Sequence, residues 1–257
     1  MSRGAGFAGA GAGIREGRVI AVVPAHNEAD AIGGVVDEIR AYDPAFDVVV
    51  IDDGSADDTA AVAAAHGAAV VRLPFNLGIG GAVQTGFKYA LENGYRVAVR
   101  LDGDGQHDPN ELGKLLEPIR SGEADIVTGS RFVSGGNGDY RPPVSRRVGI
   151  TWFAKIVSLL TRQKVTDTTS GFQALNERGI ELFAGDYPSD YPEVEAIVLV
   201  FKHRLRLAER PVSMREREHG ESSITFVRSV YYMLKVTLAL VVAMARKYAV
   251  PEEEAAR

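Results

Sequence analysis

Short runs of β-branched and aliphatic residues alternate with longer amphipathic stretches through the first half of the chain. Five runs predict strands, at Val19–Val23, Val48–Ile51, Ala69–Leu73, Arg96–Leu101 and Asp125–Gly129. The stretches after the first three strands predict helices over Ala31–Tyr42, Asp58–His66 and Ala82–Asn93. Strands that alternate with helices in this way form a mostly parallel sheet flanked by helices, so the predicted fold class is α/β.

The second half of the chain has a different pattern. Its Gly and Pro residues predict a mobile loop at Val133–Pro143, Ile180–Phe201 is of mixed character, and Pro211–Met214 is a candidate edge strand. Two amphipathic patterns predict long helices, Val144–Leu160 and Ile224–Tyr248. Because ligands of open α/β sheets bind beyond the carboxyl ends of the strands, we expect the first half to bind a nucleotide and the second to face an acceptor.

Composition narrows the class of protein. The 257 residues are 46% apolar and 25% charged, as in ordinary globular domains, and the net charge of −5 argues against a nucleic-acid partner. The absence of cysteine excludes disulfides and thiolate metal sites and suits a cytoplasmic protein. We expect residues 1–17, rich in Gly and Ala, to be a disordered tail, and no segment reaches the ~20 apolar residues of a membrane-spanning helix.

The sharpest candidate chemistry follows the fourth strand, in the sequence Asp-Gly-Asp-Gly-Gln-His at positions 102–107. Asp102 and Asp104 share a Gly-rich turn, and like charges held that close need a cation or a proton. Carboxylate oxygens suit Mg²⁺ or Mn²⁺, which also bridge diphosphate oxygens, and the Gln106 amide adds a neutral ligand. An acidic surface turn explains Asp-x-Asp taken alone, but its position at a strand end favours a metal site.

Further loops place polar groups at the ends of the other strands. Pro24–Glu28 follows the first strand and Asp52–Ser55 the second. Their carboxylates and amides suit a base or ribose hydroxyls, although helix capping and turn formation explain the same residues. Asn76–Ala82 is a Gly-rich entry to a helix, but it follows the third strand rather than the first, which argues against a Rossmann dehydrogenase.

The order of these motifs resembles family 2 of the glycosyltransferases. That order is Pro24-x-x-Asn27-Glu28, Asp52-Asp53-Gly54-Ser55, Asn76-x-Gly78, Asp102-x-Asp104-x-Gln106-His107, Gly129-Ser130-Arg131 and Asp167-Thr168-Thr169-Ser170-Gly171-Phe172. Over residues 18–223 the chain is similar to the polyprenyl-phosphate sugar synthases of that family. The resemblance implies a catalytic domain with the Rossmann-like GT-A fold, an inverting transfer and a divalent metal, Mg²⁺ or Mn²⁺.

The resemblance also implies roles for individual residues. The nucleotide-binding residues are Pro24, His26, Glu28, Ile51, Asp53, Asp102 and Gly103. The metal ligands are Asp104 and Gln106, and the catalytic residues are Asp104, Arg131 and Arg217. The acceptor-binding residues are Arg131, Asp167, Ser170, Gly171 and Arg217. The chain departs from the family pattern at Ser223, where Lys is usual, and at His26, where the polyprenyl synthases often have Tyr.

The implied reaction moves a sugar from a nucleotide diphosphate-sugar to a polyprenyl phosphate. A lipid phosphate is already ionised, whereas a hydroxyl of a glycan or lipid-linked glycan needs a general base. Asp190, Glu193 and Glu195 are the carboxylates available for that alternative.

Two readings other than a glycosyltransferase are weaker. A non-catalytic nucleotide-sugar-binding subunit is a second alternative, against which the complete set of metal ligands counts. A nucleotidyltransferase is disfavoured because Pro24–Glu28 contains no Arg or Lys.

Both long helices of the second half combine apolar faces with basic residues. On the first of them, one face carries Val148, Trp152, Phe153, Ile156, Val157 and Leu160. Such a helix lies in a lipid headgroup layer or completes the protein's own core. We expect peripheral association with the cytoplasmic face of a membrane, and we expect residues 224–250 to be a membrane-proximal or partner-binding helix. The resemblance adds a small integral membrane protein as a partner.

Overall fold

The computed structural model describes residues 18–133, 144–161, 164–189, 192–215, 235–238, 240 and 242. Seven strands of these residues form one sheet: β1 Val19–Ala25, β2 Asp47–Asp52, β3 Ala69–Arg72, β4 Val97–Arg100, β5 Ile126–Ser130, β6 Gln173–Asn176 and β7 Leu207–Pro211. The helices are α1 Ala29–Tyr42, α2 Thr59–Ala65, α3 Gly78–Glu92, α4 Leu112–Arg120, α5 Val144–Thr161, α6 Glu177–Gly185 and α7 Pro192–Lys202. A short 3₁₀ helix, Pro109–Glu111, leads into α4.

The sheet has the strand order β3-β2-β1-β4-β6-β5-β7. β6 runs antiparallel to β4 and β5, and all the other pairs are parallel. The predicted, mostly parallel α/β sheet is therefore confirmed. β6 was not predicted, because its four residues, Gln-Ala-Leu-Asn, include no β-branched or aromatic side chain.

Several predicted elements lie at slightly different positions. The edge strand is β7, which begins four residues before the predicted Pro211. The mixed stretch 180–201 includes most of α6 and most of α7. α3 begins at Gly78 rather than Ala82, so much of the Gly-rich entry is helical. One reason for its glycines is close approach: a Cβ on Gly80 would lie 2.3 Å from the carbonyl oxygen of Pro188.

Apolar side chains pack on both faces of the sheet. One cluster joins the sheet to α1, α2 and α4, and a second joins its opposite face to α3, α6 and α7. A third cluster lies between α5, α7 and the residues near 240, and contains Phe153, Val157, Val194, Val198, Val236 and Leu240. Covering of both faces explains why β1 is apolar and buried along its whole length.

The apolar surface of α5 is divided between core and solvent. Phe153 and Val157 are buried in the third cluster, and Ile156 and Leu160 pack against it. Trp152 is 51% exposed and Leu159 79% exposed. Part of the predicted apolar face is thus the protein's own core, and part of it faces outward.

Several predictions fall wholly or partly outside the described residues. These are the tail 1–17, the loop 134–143, the side chain of Val148, the residues Asp190, Arg217 and Ser223, and most of the predicted helix 224–248. Within the described part of that helix, Val236 and Leu240 are buried, whereas Leu238 and Val242 are exposed. None of the helices in the described ranges is both long and apolar enough to cross a bilayer.

Asp125 anchors the amino ends of β5 and β7. Its buried carboxylate accepts hydrogen bonds from Arg206 Nη2 (2.9 Å), Arg206 Nε (3.1 Å) and Asn176 Nδ2 (2.9 Å). Burial acts to raise the pKa of Asp125, but the hydrogen bonds of Arg206 outweigh it and lower the pKa to about 2. Because an unfolded aspartate has a pKa of about 3.9, the ionised carboxylate stabilises the fold above that pH.

We expect Asp125→Asn to lower the free energy of unfolding by about 2 kcal/mol at pH 7. The difference from wild type should shrink as the pH falls from about 4 towards 2, where the folded carboxylate takes up its proton. Urea denaturation at a series of pH values measures both effects. A difference that stays constant down to pH 3 would contradict the assignment.

Candidate active site

The loops after β1, β2 and β4 meet at the carboxyl edge of the sheet. The backbone N–H of Asp53 donates to Ala25 O (2.9 Å), and that of Gly103 donates to Pro24 O (3.2 Å). The side chain of Pro24 is buried, so this residue meets the neighbouring loop through its backbone. The structure therefore brings the predicted nucleotide-binding loops together.

The loop after β1 is held in place by its neighbours. Asn27 has a left-handed backbone (φ 55°), and its Oδ1 accepts a hydrogen bond from Ala56 N (2.8 Å). His26 is exposed, and its Nδ1 lies 2.9 Å from Asp53 O. Glu28 occupies the N-cap position of α1, where its backbone carbonyl accepts from Ile32 N (2.9 Å) and its side chain makes no capping hydrogen bond.

Asp52 and Asp53 have different surroundings after β2. Asp52 is buried, accepts from Ser55 N (3.0 Å) and pairs with Arg72 Nε (3.1 Å), so it shapes the turn. Asp53 is also buried, and its Oδ1 accepts from Leu77 N (2.7 Å), which links this turn to the start of α3. Nucleotide binding by Asp53 stays a prediction.

The side chain of Ile51 is buried in the second apolar cluster. It packs beneath the site, so the predicted nucleotide contact at this position would have to come from the backbone.

The turn after β4 packs against the segment that precedes β6. The backbone N–H of Asp102 donates to His107 Nδ1 (3.0 Å), and the His107 ring stacks on Phe172 with 4.9 Å between centroids. Burial lowers the pKa of His107, which keeps the ring neutral and able to accept at Nδ1. Two motifs that lie far apart in the sequence thus form one structure.

Asp104 and Gln106 contact each other directly. Asp104 Oδ1 accepts from the backbone N–H of Gln106 (3.1 Å), and Asp104 Oδ2 accepts from Gln106 Nε2 (2.6 Å). Rotating the amide by 180° would bring Gln106 Oε1 beside Asp104, and two such oxygens repel each other unless a cation lies between them.

This donor set suits Mg²⁺ or Mn²⁺. Within the described ranges, no group of three or more His, Cys, Asp and Glu side chains is arranged to hold a metal. Mg²⁺, however, is commonly bound through one or two carboxylates with substrate phosphates and waters completing the shell. Asp104 and Gln106 therefore fit an ion that a diphosphate helps to hold.

Arg131, directly after β5, forms a buried bidentate pair with Asp167. Arg131 Nε lies 2.8 Å from Asp167 Oδ2, and Arg131 Nη2 lies 3.0 Å from Oδ1. Arg131 Nη2 also donates to Thr169 Oγ1 (2.7 Å). Because Arg131 occupies both oxygens of a fully buried carboxylate, Asp167 positions Arg131, and acceptor binding by Asp167 itself stays a prediction.

Ser170 and Gly171 shape the same segment. Ser170 is buried, and its Oγ accepts from Phe172 N (3.3 Å), which stabilises the turn; its predicted acceptor contact stays a prediction. A Cβ on Gly171 would lie 3.0 Å from Asp102 Oδ1, so the glycine lets this segment approach the turn after β4.

The structure adds residues that the sequence did not single out. Glu209 on β7 accepts from Thr166 N and Asp167 N, both at 2.9 Å, and so supports the segment that positions Arg131. Burial raises the pKa of Glu209. Arg100, the last residue of β4, pairs with Glu193 at the start of α7. The sequence signal that could have identified Arg100 is a charged residue at the end of an otherwise apolar strand.

Comparisons with known proteins agree with the motif order. The family model described as Glycosyl transferase family 2 matches residues 20–182. An undecaprenyl-phosphate mannosyltransferase of Micrococcus luteus is 34% identical over 217 residues, which cover 81% of this chain and 88% of the relative. A polyprenol monophosphomannose synthase of Mycolicibacterium smegmatis is 29% identical over 220 residues, which cover 81% of each protein.

Solved structures agree with the fold. Glucosyl-3-phosphoglycerate synthase of Mycobacterium tuberculosis, in complex with Mn²⁺ and UDP-glucose, superposes with a TM-score of 0.65. The match covers 88% of this chain and 78% of the other, with 23% sequence identity. At that identity the likeness shows the fold, which is GT-A.

Proposed function

Because the chain belongs to glycosyltransferase family 2, we propose that it transfers a sugar from a nucleotide diphosphate-sugar to a polyprenyl phosphate, with inversion at the anomeric carbon. One observation carries this proposal. The turn with Asp102 and Asp104 and the guanidinium of Arg131 lie at the same edge of the sheet, joined by the segment from Asp167 to Phe172. Relatives named for transfer to undecaprenyl phosphate and polyprenol support the acceptor.

The chemistry required is displacement of a nucleotide diphosphate. Asp104 and Gln106 would hold Mg²⁺ or Mn²⁺, which supplies positive charge to the leaving diphosphate when bound. Arg131 is fixed by Asp167 and adds a second positive group for the same charge. The acceptor phosphate is the nucleophile and arrives ionised, so no side chain has to remove a proton from it.

The decisive test compares acceptors that differ in one group. Purified protein is incubated with Mn²⁺, a panel of UDP- and GDP-sugars, and either undecaprenyl phosphate or undecaprenol, and products are identified by mass spectrometry. We expect transfer to the phosphate and none to the alcohol, with activity lost in EDTA. Transfer only to a glycan or lipid hydroxyl would overturn the acceptor assignment, and failure to consume any donor would favour a binding subunit.

We propose that the protein acts at the cytoplasmic surface of a membrane. Trp152 and Leu159 on α5 and the nearby Leu238 are large apolar side chains that are more than half exposed. Trp152 Nε1 lies 3.4 Å from Thr237 Oγ1, which places α5 beside the segment that carries Leu238. Lys155 is exposed on the same helix and suits anionic headgroups.

Trp152 is the only tryptophan, so its fluorescence reports on this surface. We expect its emission to shift to the blue when anionic vesicles are added, and the shift to weaken with salt.

Leu159→Glu should reduce vesicle binding without lowering the thermal midpoint, because Leu159 is largely exposed. Unchanged emission together with no co-sedimentation would contradict direct membrane binding and leave a membrane protein as the better candidate partner.

A further inference from the structure

Arg100 is a buried cation at the centre of the site. It ends β4 and is 1% exposed, with Val22 of β1 and Gln173 of β6 as its sheet neighbours. Removing a guanidinium from water costs several kcal/mol unless other groups pair with it. The role of Arg100 can therefore be inferred from the groups that pair with its guanidinium.

Three separate segments supply those partners. Arg100 Nη1 donates to Tyr187 Oη (3.1 Å), after α6, and Arg100 Nη2 donates to Glu193 Oε1 (3.0 Å), on α7. Arg100 Nη2 also lies 3.4 Å from Asp102 Oδ1, in the turn after β4. One guanidinium nitrogen thus bridges two carboxylates from different parts of the chain.

The two carboxylates remain accessible although the cation does not. The side chains of Asp102 and Glu193 are 34% and 23% exposed, against 1% for Arg100. Two carboxylates and one guanidinium leave a net negative charge at the surface of this cluster. Arg100 therefore supports these groups from below rather than meeting a ligand itself.

Gly171 closes the cluster from the other side. A Cβ at this position would lie 2.8 Å from Arg100 Nη2 and 3.0 Å from Asp102 Oδ1, so the backbone of Gly171 rests directly on the pair. The segment that contains Gly171 also contains Asp167, which positions Arg131. Arg100 consequently lies where the donor side of the site meets the segment that holds Arg131.

We propose that Arg100 is a positioning residue that ties Asp102 to Glu193, with Glu193 acting as its anchor on α7 and not as a general base. This inference rests on the proposed function, in which Asp102 binds the donor. Loss of the tie leaves Asp102 free to change rotamer, so donor binding weakens. Because Glu193 only accepts a hydrogen bond from Arg100, the amide oxygen of a glutamine at position 193 can accept it instead.

The test measures donor binding apart from transfer. The thermal midpoint is recorded with Mn²⁺ and increasing UDP-glucose or GDP-mannose, and kcat and KM are measured with undecaprenyl phosphate. We expect Arg100→Met to raise the donor dissociation constant and KM about tenfold or more, and Arg100→Lys to restore part of the loss. We expect Glu193→Gln to change kcat less than about threefold, whereas Glu193→Ala should weaken donor binding as Arg100→Met does.

Arg206→Met is the matched control. It breaks the ion pair with Asp125 at the opposite edge of the sheet, so it should lower stability without changing donor binding. An Arg100→Met effect on donor binding no larger than that of Arg206→Met would overturn the proposal. So would a loss of about 10³-fold or more in kcat for Glu193→Gln with disappearance of an ionisation from its pH profile, since that result identifies a general base.

The Glu193 variants and Arg100→Lys keep the proposal testable if Arg100→Met does not fold. Failure of the proposed function gives a different result. Wild-type protein would then bind donor but transfer nothing to undecaprenyl phosphate, while the donor-binding comparison among the variants still decides the role of Arg100.

Discussion

Asp104→Ala is expected to reduce sugar transfer by at least about a thousandfold while the protein stays folded. Asp104 accepts hydrogen bonds from Gln106 in a partly buried turn and belongs to none of the apolar clusters of the described residues. Its removal therefore costs little packing but takes away the carboxylate that would hold the metal. Transfer assays with Mg²⁺ and with Mn²⁺, paired with urea denaturation, separate the two effects.

Asp37→Ala provides the matched control for this variant. Asp37 lies on the exposed side of α1, where its carboxylate pairs with His66. We expect this change to leave transfer unaltered, because α1 carries the residue away from the site. Near-normal transfer by Asp104→Ala at saturating metal would show that the Asp-x-Asp turn is not a metal site.

Arg131→Met should both destabilise the protein and abolish transfer. Removing one partner of a buried ion pair typically costs about 3–5 kcal/mol, because the other charge stays buried without compensation. Here the remaining group is Asp167, whose carboxylate is fully buried. The free energy of unfolding from urea denaturation and the rate of transfer are the two measurements.

The double variant Arg131→Met/Asp167→Asn separates structure from chemistry. With both charges removed, we expect much of the lost stability to return, since replacing a buried pair with neutral groups is often close to neutral. Transfer should stay absent, because the proposed mechanism uses Arg131 to stabilise the leaving diphosphate. Recovery of transfer along with stability would make Arg131 a purely structural residue.

The strands that the sequence predicted share one physical property. β1 and the four central residues of β2 are continuous apolar runs, because both faces of the sheet are covered and buried positions favour apolar side chains. β6 carries no such signal. It pairs with β4 and β5 because neighbouring strands offer it partners, and a four-residue segment shows nothing of that in its own sequence.

The candidate site was predictable where motifs lie at strand ends. The turns after β1, β2 and β4 had to meet because parallel strands present their carboxyl ends at one edge. The relation of Arg131 to Asp167 was not predictable in this way, since it joins positions 36 residues apart through side chains alone. The charge of Arg131 suits an acceptor phosphate, and only the contact shows that the carboxylate of Asp167 pairs with it.

The hydrogen bond between Arg100 and Glu193 was even harder to predict from the sequence. The two residues lie 93 positions apart in the sequence, and β6 and α6 lie between the first half of the chain and α7. Arginine at the end of a strand usually reaches solvent, so its burial depends on which helix packs above it. Sequence reasoning can mark such a residue as unusual without identifying its partners.

The chain between β5 and β6 leaves the sheet and rejoins it at adjacent positions. The chain leaves the sheet after Ser130 and returns at Phe172, whose carbonyl accepts from Gly129 N at 2.8 Å, so both ends of this excursion meet at one place. A segment with adjacent ends can change in length or sequence while the strands beside it keep their register. We therefore expect insertions near the two ends of this excursion to be tolerated better than changes to Phe153 and Val157, which α5 contributes to the third apolar cluster.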